Sequence, residues 1–381
     1  MTGKVWVFTG GAHAAGGFSE YKGFRNSAGL FEEVIRWDMY REQVAGRENF
    51  VFNTACPGLD ILGVIREFDD RVARYRPAGV IYISGAEDGE LDAAVYGESL
   101  RTLRGMAEGI GARFLEIAGV TGPEGKGDSL EEANRLLDQV CGGRSLVKPE
   151  DKKRLTLEGA VEVFGQGGKF TLHPEPMRWL FVGDSITHGA LHTFGYDSLP
   201  QLWEKYIRGD WGRKDDTVLN TGVSGAVAGE LLERLDVRYT PYADAQVVVV
   251  MFGTNDCAFP GTISVRQFKE QLRTFTDLAR SHGSQVVIRT PQPLREDAGE
   301  RGESLALFAE AARETAREAD VLLVDHFHHF TRTRQEDPER FRRLMSDAIH
   351  PNAQGQYRMF REMAYSLGMV KENSMVSLQY V

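Results

Sequence analysis

The sequence predicts an α/β protein built from two three-layer α/β/α domains with mainly parallel sheets. Three observations support this prediction: the length of 381 residues, the alternation of short apolar strands with amphipathic helices, and an internal repeat. A chain of this length can form two domains that each bury a core. Strands that alternate with helices favour parallel pairing, because the crossover helices then cover both faces of the sheet.

The C-terminal half shows this alternation most clearly. Predicted strands lie near Trp179, Val218, Val248, Val286 and Leu322, and predicted helices lie near Leu202, Leu231, Phe268, Leu305 and Tyr357. In the helix around Leu305, apolar residues recur every three or four positions. One face of this helix should therefore pack against the sheet.

Domain boundaries are predicted from composition. We expect a first domain over residues 1–147, a linker over residues 148–176 and a second domain over residues 177–381. The linker opens with the charged run Glu150–Arg154 and closes with His173-Pro174-Glu175-Pro176, where the prolines would stop a helix or a strand. Two alternating segments around Gly165–Gly168 predict a β-hairpin inside the linker.

Composition argues against several classes of protein. A net charge of −10 disfavours binding to nucleic acid or to an anionic membrane surface, both of which need clustered Lys and Arg. No apolar run reaches the length of a membrane span or of a signal-peptide core. Three widely spaced cysteines, Cys56, Cys141 and Cys257, suit reduced thiols better than a disulfide framework. We therefore expect a cytoplasmic protein without nucleic-acid or membrane partners, and homo-oligomerisation remains open.

The segment Gly183-Asp184-Ser185 is the most informative part of the second half. It follows the apolar run Trp179–Val182, so Ser185 lies at the exit of a predicted strand. A serine hydroxyl is a poor nucleophile at neutral pH unless a neighbouring base takes its proton. The segment therefore indicates a catalytic serine only if the sequence also supplies a histidine and a set of oxyanion donors.

Both are found downstream. Asp347 and His350 are three residues apart and supply a carboxylate and the imidazole that it could orient. Gly225 and Asn255 lie in turns that follow two other predicted strands. Because loops at the carboxyl ends of parallel strands converge on one edge of a sheet, these residues can share a crevice with Ser185. Two backbone N–H groups and the asparagine amide could then surround an oxyanion.

These four segments, in this order, resemble the sequence blocks of the SGNH hydrolase family, also called GDSL esterases and lipases. The resemblance covers about half of the chain, roughly residues 178–367. It implies a flavodoxin-like, SGNH-type fold with Ser185 as nucleophile, His350 as base and Asp347 as its orienting group. It also implies an oxyanion hole formed by Ser185, Gly225 and Asn255. Neither a metal nor an organic cofactor is implied.

The N-terminal half resembles a degenerate copy of the same domain. Three of its segments align with segments of the second half: 6–12 with 179–185, 52–58 with 219–225, and 80–88 with 248–256. In these alignments Ala12 stands at the position of Ser185, and Glu87 stands at that of Asn255. We therefore predict a domain that keeps the fold and lacks the chemistry. The alternative is that any doubly wound domain gives similar glycine turns, although a shared Asn-Thr pair makes chance agreement less frequent.

Several polar residues near these segments invite further interpretation. Asp184, His188 and Asp256 are candidate pocket residues. The two carboxylates are expected to hydrogen-bond the adjacent loop backbones, and His188 either lines the pocket or caps its turn. The segment Asp325–His329 carries three histidines, but neighbouring histidines point in different directions and no second ligand group has suitable spacing. We predict no metal site, and we expect Cys257 to be a buried spacer.

We predict hydrolysis of a small-molecule or carbohydrate ester in two steps, through an acyl-enzyme on Ser185. The sequence shows no extended apolar lid, which favours a short acyl chain, and the resemblance points to acetyl esters of a carbohydrate or another hydroxylated small molecule. Two alternatives remain. One is an acyltransferase that uses the same triad, and the other is a glycan-binding or partner-binding protein whose N-terminal copy carries the main task.

Overall fold

The protein is represented by a computed structural model that describes residues 4–15, 48–117, 170–189, 192–193, 195–258, 263–371, 374 and 376. The chain divides into two compact units, Met1–Lys152 and Lys153–Val381, each with its own sheet. Every strand pairing in the two sheets is parallel, and helices lie on both sides of the sheets. The predicted α/β fold class is therefore confirmed.

The two sheets have the same winding order. Strands of the first unit are β1 (Val5–Gly10), β2 (Phe50–Asn53), β3 (Gly79–Ile83) and β4 (Arg113–Ile117), in the spatial order β2-β1-β3-β4. Strands of the second unit are β5 (Arg178–Gly183), β6 (Thr217–Asn220), β7 (Val247–Met251), β8 (Gln285–Arg289) and β9 (Leu322–Val324), in the order β6-β5-β7-β8-β9. In each sheet the first strand lies between the second and the third. This reversal of winding direction opens a crevice at the carboxyl ends of the central strands.

Helices follow most of the strands. In the described part of the first unit, 4–15 and 48–117, they are α1 (Ala12–Ala15), α2 (Ile61–Arg66), α3 (Phe68–Arg71) and α4 (Ala93–Gly109). In the second unit they are α5 (Ser185–His188), α6 (Leu199–Lys205), α7 (Ala228–Glu233), α8 (Leu235–Arg238), α9 (Val265–Ser281), α10 (Glu300–Ala319), α11 (His326–Glu336), α12 (Pro338–Arg343) and α13 (Ala353–Ser366). Each predicted strand and helix of the second half therefore corresponds to an observed element.

The central strands of the second unit are apolar along their whole length because helices cover both faces of the sheet. All five residues of β7 are buried, as are five of the six residues of β5. Trp179 of β5 packs edge-on against Trp203 of α6, with ring centroids 5.2 Å apart. In α10 the predicted apolar stripe is buried, including Leu305 and Phe308. The core therefore supports the ends of β5 and β7 from both sides.

The two units share a pattern of hydrogen bonds at the carboxyl ends of their strands. Asn53 Nδ2 donates to the carbonyl of Ala14 at 3.0 Å, and Asn53 Oδ1 accepts the N–H two residues later at 3.2 Å. Asn220 Nδ2 donates to the carbonyl of Thr187 at 3.0 Å, and its Oδ1 also accepts the N–H two residues later, at 3.0 Å. Asparagines at aligned positions therefore join the second strand of each unit to the helix that follows the first strand.

An aspartate in each unit also accepts backbone N–H groups at aligned positions. Asp88 accepts the N–H of Ile61 at 2.8 Å and the N–H three residues before itself at 2.9 Å. Asp256 accepts the N–H of Ala228 at 2.8 Å and the N–H three residues before itself at 2.9 Å. The partners occupy aligned positions of the two halves, so the same side chain fixes the same pair of loops in each unit.

The predicted linker hairpin lies mainly outside the described residues, because residues 148–169 are not among them. Residues 170–172, which belong to its predicted second strand, are described and do not form a strand. Thr171 instead pairs through its backbone with the side-chain amide of Gln285, with two hydrogen bonds of 2.8 Å. This segment therefore lies against the amino end of β8, within the second unit.

Candidate active site

Ser185 is the first residue of α5 and follows β5 directly. Asp184 caps this helix, because its Oδ1 accepts the N–H of Ile186 at 2.9 Å. Gly189 ends the helix in a left-handed conformation, at φ +73°. The single turn fixes Ser185 at the strand exit, and its Oγ lies 2.9 Å from Nε2 of His350.

Asp347 and His350 lie in the loop between α12 and α13. Nδ1 of His350 is 2.9 Å from Oδ2 and 3.1 Å from Oδ1 of Asp347. The backbone N–H groups of Ile349 and His350 both donate to Oδ1 at 2.7 Å. The loop is closed by the N–H of Ser346, which donates to the carbonyl of His350 at 2.9 Å. The structure thus brings Ser185, His350 and Asp347 into one hydrogen-bonded row.

The environment keeps Asp347 charged. Burial alone would raise the pKa of its carboxyl group, but the hydrogen bonds from the side chain and backbone of His350 outweigh that effect and lower the pKa. A carboxylate that accepts several N–H groups is stabilised in its charged form. Asp347 is therefore an anion throughout the physiological pH range, as an orienting group for an imidazole must be.

Gly225 and Asn255 lie in the turns after β6 and β7, beside Ser185 in the sheet order. Gly225 adopts φ +78°, a conformation that favours glycine. Nδ2 of Asn255 donates to the carbonyl of Ala226 at 3.0 Å, and its Oδ1 accepts from Nη2 of Arg301 at 3.1 Å. An amide nitrogen carries two hydrogens. One hydrogen of Asn255 is therefore committed to the neighbouring turn, which fixes the direction of the amide.

Two buried carboxylates support these loops. Asp184 and Asp256 are at most 2% exposed, and both accept backbone N–H groups. Burial raises the pKa of Asp184, and it raises the pKa of Asp256 to about 6. The backbone hydrogen bonds act in the opposite direction in both cases. These contacts hold the loop backbones and place neither carboxylate in the row formed by Ser185, His350 and Asp347.

His188 joins α5 to the turn that contains Gly225. Its ring is buried, and Nδ1 lies 2.9 Å from Oγ of Ser224. Cys257 is also buried, and burial raises the pKa of its thiol to about 11. A thiol with such a pKa is protonated at neutral pH and is a poor nucleophile.

Two residues of the site carry no signal in the sequence. The ring of His192 stacks on the ring of His350, with centroids 3.5 Å apart and planes 4° from parallel. Arg301 of α10 donates through Nε and Nη2 to the carbonyl of Thr254, at 3.1 and 2.6 Å. Arg301 therefore holds the turn that presents Asn255, and His192 covers one face of His350.

His326, the first histidine of the segment after β9, belongs to a buried network. Nε of Arg289 donates to Nε2 of His326 at 3.0 Å, so His326 carries its proton on Nδ1. That nitrogen lies 2.6 Å from Oε2 of Glu362, whose Oε1 accepts from Arg358 at 3.0 Å. Burial lowers the pKa of His326 and raises that of Glu362 to about 8. The network ties the ends of β8 and β9 to α13.

Within the described residues, one group of side chains has ligand atoms close enough for a metal ion. It consists of His192, Asp347 and His350, whose ligand atoms lie within 4.8 Å of one another. A zinc ion needs imidazole nitrogens at about 2.0–2.1 Å along their lone pairs, which lie in the ring planes. The two rings are parallel and 3.5 Å apart, so no ion can lie in both planes. The observed arrangement therefore does not fit a metal.

Comparison with known proteins identifies this part of the chain. Residues 181–358 match the sequence model of the GDSL-like Lipase/Acylhydrolase family. This segment is a GDSL-like hydrolase domain. It contains every predicted site residue, from Asp184 to His350, and the domain belongs to a family of hydrolases.

Two curated proteins each resemble a part of this chain. An uncharacterized protein of Mycoplasma pneumoniae is 38% identical over 112 residues, which are 29% of this chain and 13% of that protein. The uncharacterized lipoprotein YqeF of Bacillus subtilis is 27% identical over 176 residues, covering 39% of this chain and 70% of that protein. The matched segment thus spans only a small part of the first relative.

Solved structures also align with about half of the chain. Axe2, an acetylxylan esterase from Geobacillus stearothermophilus, has 17% identity and a TM-score of 0.43, covering 52% of this chain and 97% of that chain. LAE5, an α/β hydrolase enzyme from the metagenome of Lake Arreo in Spain, has 19% identity and a TM-score of 0.45, covering 51% of this chain and 97% of that chain. Among the described residues, no helix has the length and apolar character needed to cross a membrane.

Proposed function

We propose that the GDSL-like domain is a serine esterase that forms an acyl-enzyme on Ser185. The observation that carries this proposal is the row of short contacts from Ser185 Oγ to His350 Nε2, at 2.9 Å, and from His350 Nδ1 to Asp347, also at 2.9 Å. Asp347 is charged and acts only as an acceptor, so Nδ1 of His350 carries the proton. Nε2 is then the free base that accepts the proton of Ser185.

The reaction follows from this tautomer. As Oγ of Ser185 attacks the ester carbonyl carbon, its proton passes to Nε2 of His350, and the π electrons of the carbonyl move onto oxygen. Collapse of the tetrahedral intermediate breaks the bond to the alkoxide, which takes the proton from Nε2 as it leaves. Water then attacks the acyl-enzyme in the same way and releases the acid. Asp347 stabilises the imidazolium in both steps.

The oxyanion is proposed to lie between the N–H groups of Ser185 and Gly225 and the side-chain amide of Asn255. One amide hydrogen of Asn255 is held by the carbonyl of Ala226, which leaves the other for the substrate. Arg301 fixes the same amide from its oxygen side. Donors that are oriented before the reaction are effective, and the loss of one typically lowers turnover by about a hundred- to a thousand-fold.

Short acyl esters of uncharged, hydroxylated carriers are the proposed substrates, with O-acetylated carbohydrates first. The chain shows no extended apolar segment that would cover a long acyl chain. Its net charge of −10 also disfavours strongly anionic carriers. Hydrolysis rates for acetyl, butyryl and octanoyl esters of one alcohol test this proposal, and faster hydrolysis of the octanoyl ester would contradict it.

The first unit is proposed to be a non-catalytic copy of the same domain. Its Asn53 and Asp88 have the same hydrogen-bond partners as their aligned residues in the second unit. Where the second unit has its oxyanion glycine, Gly58 has φ +89° and donates its N–H to Oε1 of Glu87 at 3.0 Å. A Cβ atom on Gly11 would lie 2.4 Å from Oε2 of the same carboxylate. Glu87 thus takes the place that a substrate oxyanion would need.

We also propose that the protein works in the cytoplasm. Cys56 and Cys257 are buried and form no disulfide, which suits a reducing compartment, while Cys141 lies outside the described residues. Cell fractionation with detection of the intact chain tests this proposal. Recovery of the protein with the exported or membrane fraction would contradict it.

A fluorophosphonate tests the proposed nucleophile without knowledge of the substrate, because it reacts with an activated serine. Intact-mass measurement should show one adduct on the wild-type protein and none on Ser185→Ala. Ser281→Ala, which changes a serine at the exposed end of α9, serves as a matched control and should label like the wild type. A folded wild-type protein without an adduct would overturn the esterase proposal and favour a binding role.

An acyltransferase would form the same acyl-enzyme, so a separate test must show whether water or an alcohol receives the acyl group. Hydrolysis of an activated acetyl ester is followed while a simple alcohol or sugar is added at increasing concentration. We expect acetate to remain the main product. Preferential formation of the acetylated alcohol or sugar would identify an acyltransferase instead.

A further inference from the structure

His192 lies against the catalytic row without belonging to it. Its ring stacks on His350 at a centroid distance of 3.5 Å, and its Nδ1 is 3.4 Å from Oδ2 of Asp347 and 3.4 Å from Oγ of Ser346. The side chain is 22% exposed, so one part faces the solvent and the rest is covered. These contacts link a loop before α6 with the loop that carries His350.

His350 needs lateral support. In the plane of its ring, Asp347 holds Nδ1 and Ser185 faces Nε2. Neither contact prevents the ring from tilting out of that plane, and Asp347 is itself 45% exposed. A flat ring stacked on the face of His350 opposes this tilt, and catalysis is sensitive to misplacement of about 1 Å.

We propose that His192 is a positioning residue for this esterase, a neutral imidazole that holds the His350 ring in the plane joining Ser185 to Asp347. This inference rests on the proposed function. When His350 becomes an imidazolium during attack, the face of a neutral aromatic ring also favours its positive charge. His192 thus supports both the orientation of the base and the charge that develops on it.

The protonation state of His192 is set by the groups that face it. Burial lowers its pKa, the positive charge on His350 lowers it further, and Asp347 acts in the opposite direction; the result is a pKa of about 4. The hydroxyl of Ser346 is uncharged and can donate or accept a hydrogen bond. At neutral pH His192 is therefore neutral. Its protonation would place a positive charge on the ring stacked 3.5 Å from His350 and beside Asp347.

The experiment compares the full-length wild-type protein with His192→Phe and His192→Ala. The second-order rate of fluorophosphonate labelling at Ser185 is measured between pH 4 and pH 9, because this rate reports activation of the serine directly. His328→Ala, an exposed histidine on α11, is the matched control and should behave like the wild type. The melting temperature of each variant shows that it is folded.

At pH 8 we expect His192→Ala to label roughly 10- to 100-fold more slowly than the wild type, because the His350 ring is no longer held in place. His192→Phe should stay within about threefold, because a flat apolar ring preserves the stacking. Between pH 6 and pH 4, His192→Phe should lose less of its rate than the wild type, since it cannot acquire the competing charge.

Two outcomes would overturn the inference while leaving the esterase intact. One is labelling of His192→Ala at the wild-type rate across the whole pH range. The other is labelling of folded His192→Phe as slow as that of His192→Ala, which would show that stacking is not the role of this residue. A folded wild-type protein that is not labelled at all would instead overturn the proposed function itself, so the two failures are distinct.

Discussion

Asp347 shows how one residue can be partly exposed and still firmly ionised. Its carboxylate accepts two backbone N–H groups and the imidazole of His350. In Asp347→Asn, an amide can donate to Nδ1 of His350 and stabilise the tautomer whose proton faces Ser185. We expect turnover of an activated acetyl ester to fall by about 10³- to 10⁴-fold. Asp244→Asn, at an exposed carboxylate, is the control, and a loss of less than tenfold in Asp347→Asn would argue against the triad.

His192 also predicts a pH dependence of stability. Its pKa is about 4 in the folded protein against 6.5 for an unperturbed histidine, so between these values the unfolded chain binds more protons than the folded one. The stability linked to this group is therefore complete above pH 6.5 and is lost as the pH falls toward 4. His192→Phe lacks this linkage. Between pH 7 and pH 4 the wild type should lose up to about 3 kcal/mol more unfolding free energy than the variant.

Denaturant unfolding of both proteins at several pH values measures this difference. His328→Phe provides the control for a histidine that is exposed. The same pH dependence in the wild type and in His192→Phe would show that His192 titrates normally in the folded protein.

At the scale of elements, Asn53 joins the end of β2 to α1, and Asn220 joins the end of β6 to α5. Both are buried. Asn53 binds one backbone carbonyl and one N–H, and Asn220 binds one N–H and the carbonyls of Thr187 and His188. Replacement by alanine leaves these buried backbone groups without their asparagine partner, at a cost of about 1–3 kcal/mol. Hydrogen exchange should become faster at Ala55 in Asn53→Ala and at Gly222 in Asn220→Ala. Each variant is the control for the other, and equal acceleration in both units would contradict the local role.

The elements themselves could largely be predicted from the sequence. Strands β5 to β9 are short apolar runs, and β5, β6 and β7 end at or just before glycines. This local pattern also places Ser185 and Asn255 at strand exits. Asp347 and His350 could be paired because they are only three residues apart. His192 could not be found in this way, because its partner Ser346 is 154 residues away and nothing in its local sequence marks it. Such contacts are created by the fold and not by local periodicity.

The histidines after β9, for which the sequence predicts no metal site, are a second example of this limit. The sequence indicates only that adjacent histidines are poorly arranged for a metal. The structure shows in addition that His326 accepts from Arg289 and contacts Glu362, all of them buried. A buried polar network of this kind depends on three elements, β8, α11 and α13, that meet only in the fold. No spacing rule would connect them.

At the scale of the whole molecule, the two units share the order of their first four strands and several aligned hydrogen bonds, and they differ at the positions to which chemistry is proposed. The second unit has Asp184, Ser185 and Asn255 where the first has Gly11, Ala12 and Glu87. These differences depend on one another. Gly11 leaves room for the Glu87 carboxylate, which binds the N–H of Gly58. The loss of function proposed for the first unit is therefore a rearrangement of the site as well as the loss of a nucleophile.

This arrangement predicts that a serine alone does not restore reactivity to the first unit. In the double variant Ala12→Ser/Ser185→Ala, the N–H of Gly58, which aligns with the proposed oxyanion donor Gly225, would still be bound by Glu87. The sequence also offers no histidine other than His13 before His173, and a serine without a dedicated base is a poor nucleophile. We expect no fluorophosphonate adduct, as in Ser185→Ala alone, and the same result when Glu87→Asn is added. Peptide mass spectrometry would locate any adduct. An adduct on the introduced hydroxyl of either variant would show that the first unit has a working base and lacks only the hydroxyl.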